Sequence, residues 1–216
     1  MARRLKAMSA PGYERGFKLA VQPQRLAQPI ARKKPTVWFV NSMSDLFHEA
    51  VSDDYLDQVF DTIRRTPQHT YQILTKRAER LPSYFESHSV PENVWLGVSV
   101  ENRKHGKPRI DLLRQVDARI RFLSVEPLLE DLGSLDLSGI HWVIVGGESG
   151  ARARPMNPEW ADGVRTQAIA QGAAFFFKQW GAWGGDGVRR SKKSNGRKLA
   201  GRIWDGYPNS GDMVGR

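Results

Sequence analysis

Six short apolar runs divide the chain at regular intervals. They are VWFVN (37–41), TYQIL (70–74), VWLGV (94–98), IRFLS (120–124), WVIVG (142–146) and AFFFK (174–178). Each run consists mainly of β-branched, aromatic or aliphatic residues and is bounded by polar residues, Gly or Pro. Continuous apolar runs of this length are typical of strands that are buried on both faces of a parallel sheet. The pattern therefore predicts six strands of that kind.

Helical periodicity lies between most of the runs. It predicts a helix over 52–65, a second apolar stripe over 110–116, and a shorter helix within 77–87. A further helix is expected before the last run, with Asn157 as its N-terminal cap and Gly172 as its end. Strands that alternate with helices indicate βαβ units and a parallel α/β fold. Periodicity alone leaves open whether the sheet is doubly wound or forms a complete or partial barrel.

The length of 216 residues suits one globular domain with a full core. We expect an α/β domain over 1–183, which begins with a basic segment (1–34), and a basic, Gly-rich segment over 184–216. There is no run of about 18 apolar residues and no secretory signal at the start of the sequence, so we predict no membrane contact. The absence of cysteine excludes disulfides and thiolate metal sites on this chain, and it fits a cytoplasmic protein.

Polar side chains follow every predicted strand. In parallel α/β folds the carboxyl ends of the strands form the edge at which ligands bind, so we expect one shared ligand site there. In chain order, the candidates at this edge are Asn41, Ser42, Ser44, Asp45, Thr75, Lys76, Ser99, Glu101, Glu126, Glu148 and Lys178.

The stretch IVGGESG (144–150) permits three interpretations. Its glycine pair suggests a phosphate site, Glu148 suggests acid/base chemistry, and an ordinary turn is also possible. Neither of the usual glycine-rich nucleotide motifs is present, so the case for phosphate is weak. We expect the glycines to let the backbone approach a ligand or fold tightly. The five histidines have no metal-ligand spacing, and we predict no metal site among the side chains of this sequence.

The net charge of +10 is concentrated at the two ends of the chain. Residues 1–34 carry a charge of +8 and residues 187–204 carry +7, whereas residues 35–186 carry −4. Basic flanks of this kind suggest contact with nucleic acid through 1–34 and 187–203. The alternative is a pair of solvated ends without a partner.

Six segments resemble, in order, a family of phage and bacterial proteins with a three-cysteine motif and a radical-SAM-like organisation. The segments are FVNSMSDLFHE, QILTKRAER, VWLGVSVEN, RFLSVEPLL, WVIVGGESGARARPM and FFFKQWG. The resemblance covers about residues 10–183. It implies the partial (β/α) barrel of TIM type, with about six parallel strands, that radical-SAM enzymes share.

The resemblance also implies cofactors. In radical-SAM enzymes a cysteine triad after the first strand holds a [4Fe–4S] cluster, which binds S-adenosylmethionine and cleaves it to a 5′-deoxyadenosyl radical. This sequence has no cysteine, so it resembles a member without its first strand and cluster loop, whether through an internal start, truncation or genuine loss. The Gly-Gly-Glu motif of many such enzymes follows their second strand, whereas Gly146-Gly147-Glu148 follows a much later one, so we do not equate the two.

Strand order in the resembling family suggests roles for the candidates. The cofactor side is expected to comprise Asn41, Ser42, Ser44, Asp45, Thr75, Lys76, Ser99 and Glu101. The substrate side, with the catalytic candidates, is expected to comprise Glu126, Glu148 and Lys178.

Three functions remain open at this stage. The first is a radical-SAM-like enzyme, or a cysteine-less remnant of one, that acts on nucleic acid or a nucleotide. The second is a non-catalytic barrel that binds nucleic acid or a protein partner through its basic flanks. The third is an ordinary barrel enzyme that uses Glu and Lys in acid–base chemistry on a phosphorylated metabolite. An uncovered sheet edge would in addition favour self-association.

Overall fold

The six apolar runs form the six strands of one parallel sheet, and the strands are neighbours in the order in which they occur along the chain. The computed structural model describes residues 19–41 and 44–208. The sheet is curled into a half-barrel, so the predicted partial barrel is confirmed. Its strands are β1 (Val37–Val40), β2 (Thr70–Thr75), β3 (Val94–Ser99), β4 (Ile120–Val125), β5 (Trp142–Gly146) and β6 (Ala174–Gln179).

Helices cover the convex side of the sheet. They are α1 (Ala27–Ala31, after a 3-10 turn at Pro23–Leu26), α2 (Asp53–Arg64), α3 (Arg80–Phe85), α4 (Lys107–Arg114) and α5 (Pro158–Ala170). The predicted caps are present, because Ser52 Oγ accepts from the Tyr55 amide at 3.3 Å and Asn157 Oδ1 accepts from the Glu159 amide at 2.9 Å. The stripe over 110–116 is only partly helical, since α4 ends at Arg114, although Val116 is still buried.

The two faces of the sheet have separate apolar clusters. The larger one lies between the sheet and the helices. The smaller one fills the lower part of the concave face with Trp95, Ile120, Phe122 and Trp142. Gly97 belongs to this packing, because a Cβ at that position would lie 2.5 Å from the Phe122 ring. The concave face is therefore filled near the amino ends of the strands.

The connection from β4 to β5 has no helix. Instead, Gln167 of α5 and Gln171, which caps the C-terminus of α5, hold this segment by their side-chain amides. Gln167 accepts from the Leu135 amide at 2.7 Å and donates to the Gly133 carbonyl at 3.0 Å. Gln171 accepts from the Leu137 amide at 2.8 Å and donates to the Leu135 carbonyl at 3.0 Å. Side-chain bonds thus replace the backbone bonds that a crossover helix would have made.

The chain after β6 runs back along the outer edge of that strand. It contains a short helix, α6 (Lys192–Asn195), and a small hairpin of β7 (Lys198–Leu199) and β8 (Arg202–Ile203). We call residues 204–208 the strap. The Phe177 amide donates to the Trp204 carbonyl, and the Gly206 amide donates to the Phe175 carbonyl, so the strap pairs with the edge of β6. Tyr207 then packs against Trp95 and Trp142, with ring centroids 5.0 and 4.8 Å apart.

The two edges of the sheet therefore differ. The β6 edge is covered by the strap, whereas β1 pairs only with β2 among the named strands and has exposed Val37 and Phe39 side chains. The self-association expected at an uncovered edge stays a prediction. Within the described ranges, no helix is both long and apolar enough to cross a membrane. Ser42 and the first 18 residues of the predicted basic N-terminal segment lie outside the described residues.

Candidate ligand-binding mouth

The polar groups that follow the six strands lie at one edge of the half-barrel, because all the strands run parallel. We call this edge the mouth. Its side chains form two contact groups, one at the ends of β1 to β3 and one at the ends of β4 to β6. The groups meet where Ser99 of β3 lies in register with Ser124 of β4, and both of these serines are buried. The shared edge expected from the sequence is therefore present.

Asp45 joins the loop after β1 to the end of β2. Its Oδ1 accepts from Thr75 Oγ1 at 2.7 Å and from the Phe47 amide at 3.0 Å, and its Oδ2 accepts from the Lys76 amide at 2.8 Å. These three bonds occupy the carboxylate with the protein itself. Asp45 therefore shapes the mouth, and direct contact with a ligand stays a prediction for this residue. Thr75 is buried within the same network.

Glu101 lies between two cations at the end of β3. Its Oε1 forms an ion pair with Lys76 Nζ, and its Oε2 accepts from Arg109 Nη1 of α4 at 2.9 Å. Arg109 also donates to the Ser99 carbonyl at 2.8 Å, so it fixes the end of the strand and the carboxylate together. Burial alone raises the pKa of Glu101, but the hydrogen bond and charge of Lys76 and the charge of Arg109 outweigh it, so the pKa lies below its ordinary value. Glu101 is thus held as a carboxylate.

A groove of about 1040 Å³ opens at the β1–β3 side of the mouth. It is lined by residues of the segment 19–29, by α2 residues such as Tyr55 and Ile63, by β1, and by residues of β2 and the end of β3. Phe39 and Leu74 contribute apolar surface, and Phe39 is 48 % exposed. The volume is at the upper end of the range for sites that bind a small molecule or a cofactor. Six of the eight candidates for the cofactor side line this groove, namely Asn41, Ser44, Asp45, Thr75, Lys76 and Ser99.

Glu126 organises the other contact group. Its Oε2 accepts from Lys178 Nζ of β6 at 2.8 Å, and its Oε1 accepts from Gln179 Nε2 at 2.9 Å. Gln179 is buried and also donates to the Gly147 carbonyl at 2.8 Å, so its amide holds Glu126 against the end of β5. Lys178 has a half-exposed side chain. The Glu126–Lys178 pair is therefore accessible from solvent and can exchange partners with a charged ligand.

Glu148 is held by a single arginine. Its carboxylate accepts from Arg154 Nε at 2.8 Å, from Nη2 at 2.9 Å and from the Arg154 amide at 2.9 Å. The side-chain bonds and then the backbone bond of Arg154 lower the pKa of Glu148 to about 2. A carboxylate bound in this way does not take up a proton near neutral pH. The arrangement supports a role in holding the loop 148–154, and the catalytic role suggested for Glu148 stays a prediction.

The glycines of IVGGESG make a tight junction between two chain segments. A Cβ at Gly147 would lie 1.9 Å from the Trp180 carbonyl oxygen, and one at Gly181 would lie 2.2 Å from the Glu148 carbonyl oxygen. Gly146 is less restricted, although its Cβ would lie 3.0 Å from Glu126 Oε1. Of the two expected uses for these glycines, the contacts favour tight folding. They bring the ends of β5 and β6 together.

The side chains that line the mouth decide which kinds of metal, cofactor or ligand it can bind. The sequence contains no cysteine, and the described residues contain no cluster of three or more His, Asp or Glu side chains that would suit a metal ion. An iron–sulfur cluster in its usual thiolate ligation therefore does not fit these side chains. The groove combines apolar surface with hydroxyl, amide and cationic groups.

Arg109 is a strong contact of the mouth that the sequence did not suggest. It lies on a helix eight residues after Glu101, and only the crossover of that helix brings it back to the strand end. A cation at a helix position that is predicted to face solvent is an ordinary feature of a sequence. No local signal distinguished Arg109 from its neighbours Lys104, Lys107 and Arg114.

A family comparison covers the whole of this architecture. A family model described as "Protein of unknown function (DUF5131)" matches residues 1–208. The chain belongs to the DUF5131 family. All six strands, the mouth and the strap of this DUF5131 protein lie within the matched region. No curated protein matches the chain.

Proposed function

We propose that this DUF5131 protein binds S-adenosylmethionine or a closely related nucleoside in the groove at the β1–β3 side of the mouth, as a radical-SAM-like protein. The observation that carries the proposal is the lining of the groove. Six of the eight side chains expected on the cofactor side from strand order surround one space of suitable volume. A seventh, Glu101, is paired with Lys76 at its border.

The chemistry of the lining supports a ligand with a flat ring, hydroxyls and a carboxylate. Phe39 and Leu74 offer apolar surface to a base, and Ser44 and Asn41 offer hydrogen bonds at the exposed end of β1. Lys76 and Arg77 are half-exposed cations at the same place. Asp45 and Glu101 already bind these two residues through their side chains or backbone. The negative charge of the two carboxylates is therefore largely balanced before a ligand arrives. A ligand carboxylate is therefore not repelled.

When bound, S-adenosylmethionine supplies the sulfonium group that enzymes of this kind cleave. The thiolates that would hold an iron–sulfur cluster are absent from this sequence, so we assign no redox step to its residues. On the substrate side, Lys178 and Glu126 are the accessible charged pair, and they would orient a polar substrate beside the cofactor. The absence of cysteine also supports a cytoplasmic location.

Isothermal titration calorimetry with S-adenosylmethionine, S-adenosylhomocysteine and adenosine tests the proposal. We expect saturable binding of one ligand per chain. Phe39→Ala removes the exposed ring of the groove and is expected to weaken binding about tenfold, because an aromatic–base contact contributes about 1–3 kcal/mol. Ile169→Ala is the matched control, since Ile169 is also 48 % exposed but lies on α5, away from the groove.

Two results would contradict the proposal. One is the absence of binding for all three ligands to folded protein at millimolar concentration. The other is binding that both substitutions weaken equally, because this would place the ligand outside the groove.

A further inference from the structure

A strongly basic surface borders the mouth on its β5–β6 side. It is formed by the loop 148–154 after β5 and by residues 182–205 after β6. These segments carry nine basic and three acidic residues, a net charge of +6. Hydrogen bonds join them beyond the strand ends, since Arg189 Nη2 donates to the Ala151 carbonyl at 2.6 Å and Trp183 Nε1 donates to the Ala153 carbonyl at 2.7 Å. We call this the basic surface.

The acidic residues of the basic surface are already paired. Glu148 binds Arg154, Asp186 binds Arg190, and Asp205 binds Arg197. The remaining cations have no carboxylate partner among the residues that the structure describes. They are Arg152, Arg189, Lys192, Lys193, Lys198 and Arg202. The excess positive charge is therefore local and is not neutralised by the fold.

The basic surface extends in one direction. The Arg190 amide donates to the Ala182 carbonyl just past the end of β6, at the mouth. The chain then passes through α6, and the Lys198 carbonyl accepts from Trp180 Nε1 at 2.9 Å. It continues to Trp204, which pairs with Phe177 in the middle of β6. The cations thus form a strip that begins at the mouth and follows the β6 edge.

We propose that this strip binds the phosphate backbone of a single-stranded nucleic acid. A row of unpaired cations fits a chain of regularly spaced phosphates, and release of counterions from that chain favours binding. A single strand is favoured because a paired base is inaccessible to a concave site, whereas an unpaired base can reach Lys178 and Glu126. This last step rests on the proposed function; the backbone contact does not.

The aromatic residues of the region indicate which part of the nucleic acid is recognised. Trp180 is buried. Trp204 has the guanidinium groups of Arg165 and Arg202 over its ring, at 4.7 and 3.6 Å from the centroid. These rings are occupied by the protein, so stacking on bases along the strip is not expected. Phosphate contacts then dominate, and binding along the strip has little sequence preference.

Fluorescence anisotropy with a labelled 20-nucleotide single-stranded DNA, measured from 50 to 300 mM NaCl without any small ligand, tests the proposal. The test variant is Lys192→Gln/Lys193→Gln/Lys198→Gln. If each lysine makes one phosphate contact, the slope of log Kd against log salt falls by about 2, and affinity at 0.1 M salt falls about 100-fold. The control is Arg64→Gln/Arg65→Gln/Lys104→Gln, which removes the same charge from exposed side chains outside the strip and outside the basic segment 1–34.

We expect the control variant to bind within a few-fold of the unmodified chain, and duplex DNA of the same sequence to bind at least tenfold more weakly than the single strand. Equal losses in the two variants would overturn the proposal, because they would reflect net charge alone. Binding to vesicles rich in anionic lipid with no binding to DNA would also overturn it. Equal affinity for duplex DNA would overturn the preference for a single strand, which rests on the proposed function, and not the contact of the strip with phosphates. Because no small ligand is present, the comparison of the two triple variants is separate from the calorimetric test of the groove.

Discussion

The pairing of the strap with the edge of β6, which closes the half-barrel near the amino ends of the strands, can be tested by a single substitution. Gly206 lies so close to β6 that a Cβ would be 2.4 Å from the Phe175 carbonyl oxygen and 2.7 Å from its nitrogen. Both atoms belong to the backbone of β6, which is held in the sheet by β5, and cannot move aside. Gly206→Ala is therefore expected to displace the strap from the edge of β6.

The cost follows from the contacts that would be lost. The Gly206 amide donates to Phe175, Trp142 Nε1 donates to the Gly206 carbonyl at 2.9 Å, and Gln72 Nε2 donates to Tyr207 Oη at 3.3 Å. Three such bonds contribute about 3 kcal/mol in total. Tyr207 is 40 % exposed, so roughly 120 Å² of its surface is buried, which contributes about 3 kcal/mol more. Local repacking reduces the sum, and we expect a loss of about 3–5 kcal/mol.

Urea denaturation followed by tryptophan fluorescence measures this loss, because Trp95 and Trp142 lie beneath Tyr207. Acrylamide should also quench the fluorescence of the variant more strongly than that of the unmodified chain. Gly163→Ala is the control: Gly163 lies within α5 with open space around it, and alanine is expected to stabilise the helix by up to about 1 kcal/mol. A loss below about 1 kcal/mol for Gly206→Ala, with unchanged quenching, would refute the reasoning.

Three further predictions concern the mouth. Gly147→Ala should prevent stable folding, because its Cβ would lie 1.9 Å from the Trp180 carbonyl oxygen. We expect the variant to lose its cooperative unfolding transition. A well-folded variant would contradict the close contact between the ends of β5 and β6. Arg109→Met should lower the free energy of unfolding by about 3 kcal/mol, because the largely buried Glu101 loses one of its two cations. An unchanged free energy of unfolding would show that Arg109 does not stabilise the Glu101 carboxylate. The pKa of Glu148 is depressed from 4.5 to about 2, so the stabilisation it provides is fully present above about pH 4.5 and is lost as the pH falls toward 2. The stability difference between the unmodified chain and Glu148→Gln should therefore shrink over that interval in denaturation curves, and a constant difference would be inconsistent with the Arg154 bonds.

The strands were predictable because each is a continuous apolar run. Their ends were predicted less well, since Thr75, Ser99 and Gln179 are polar yet belong to the strands. Polarity marks the end of an apolar run, whereas hydrogen-bond register marks the end of a strand. The missing helix between β4 and β5 has a different reason. Gln167 and Gln171 hold that connection from a helix that comes later in the chain, and no pattern within the connection itself reveals this.

The mouth was predictable as a location but not as a set of bonds. Parallel strands place their polar ends together, and this was enough to select Lys76, Glu101 and Glu126. Which carboxylate remains accessible depends on distant partners. Arg154 occupies Glu148, whereas Glu126 binds a half-exposed lysine, and only the folded chain separates the two cases.

The strap was predicted only as part of a basic, Gly-rich segment. Its composition indicates charge and loops, and it contains no apolar run that would suggest pairing with β6. The pairing depends on a single glycine at the point of closest approach. Such a contact depends on the small size of the residue and not on its hydrophobicity, so the hydrophobic pattern of the sequence did not reveal it.

The central claim is that the strand ends form one ligand-binding mouth. A ¹⁵N–¹H NMR titration with S-adenosylmethionine tests this most directly. The account predicts that the amide signals of Asn41, Lys76 and Ser99, at the carboxyl ends of β1 to β3, shift together with one binding constant. Signals from the opposite ends of the strands, such as those of Thr70 and Val94, should stay in place. Shifts confined to those opposite ends, or no shifts at saturating ligand, would contradict it.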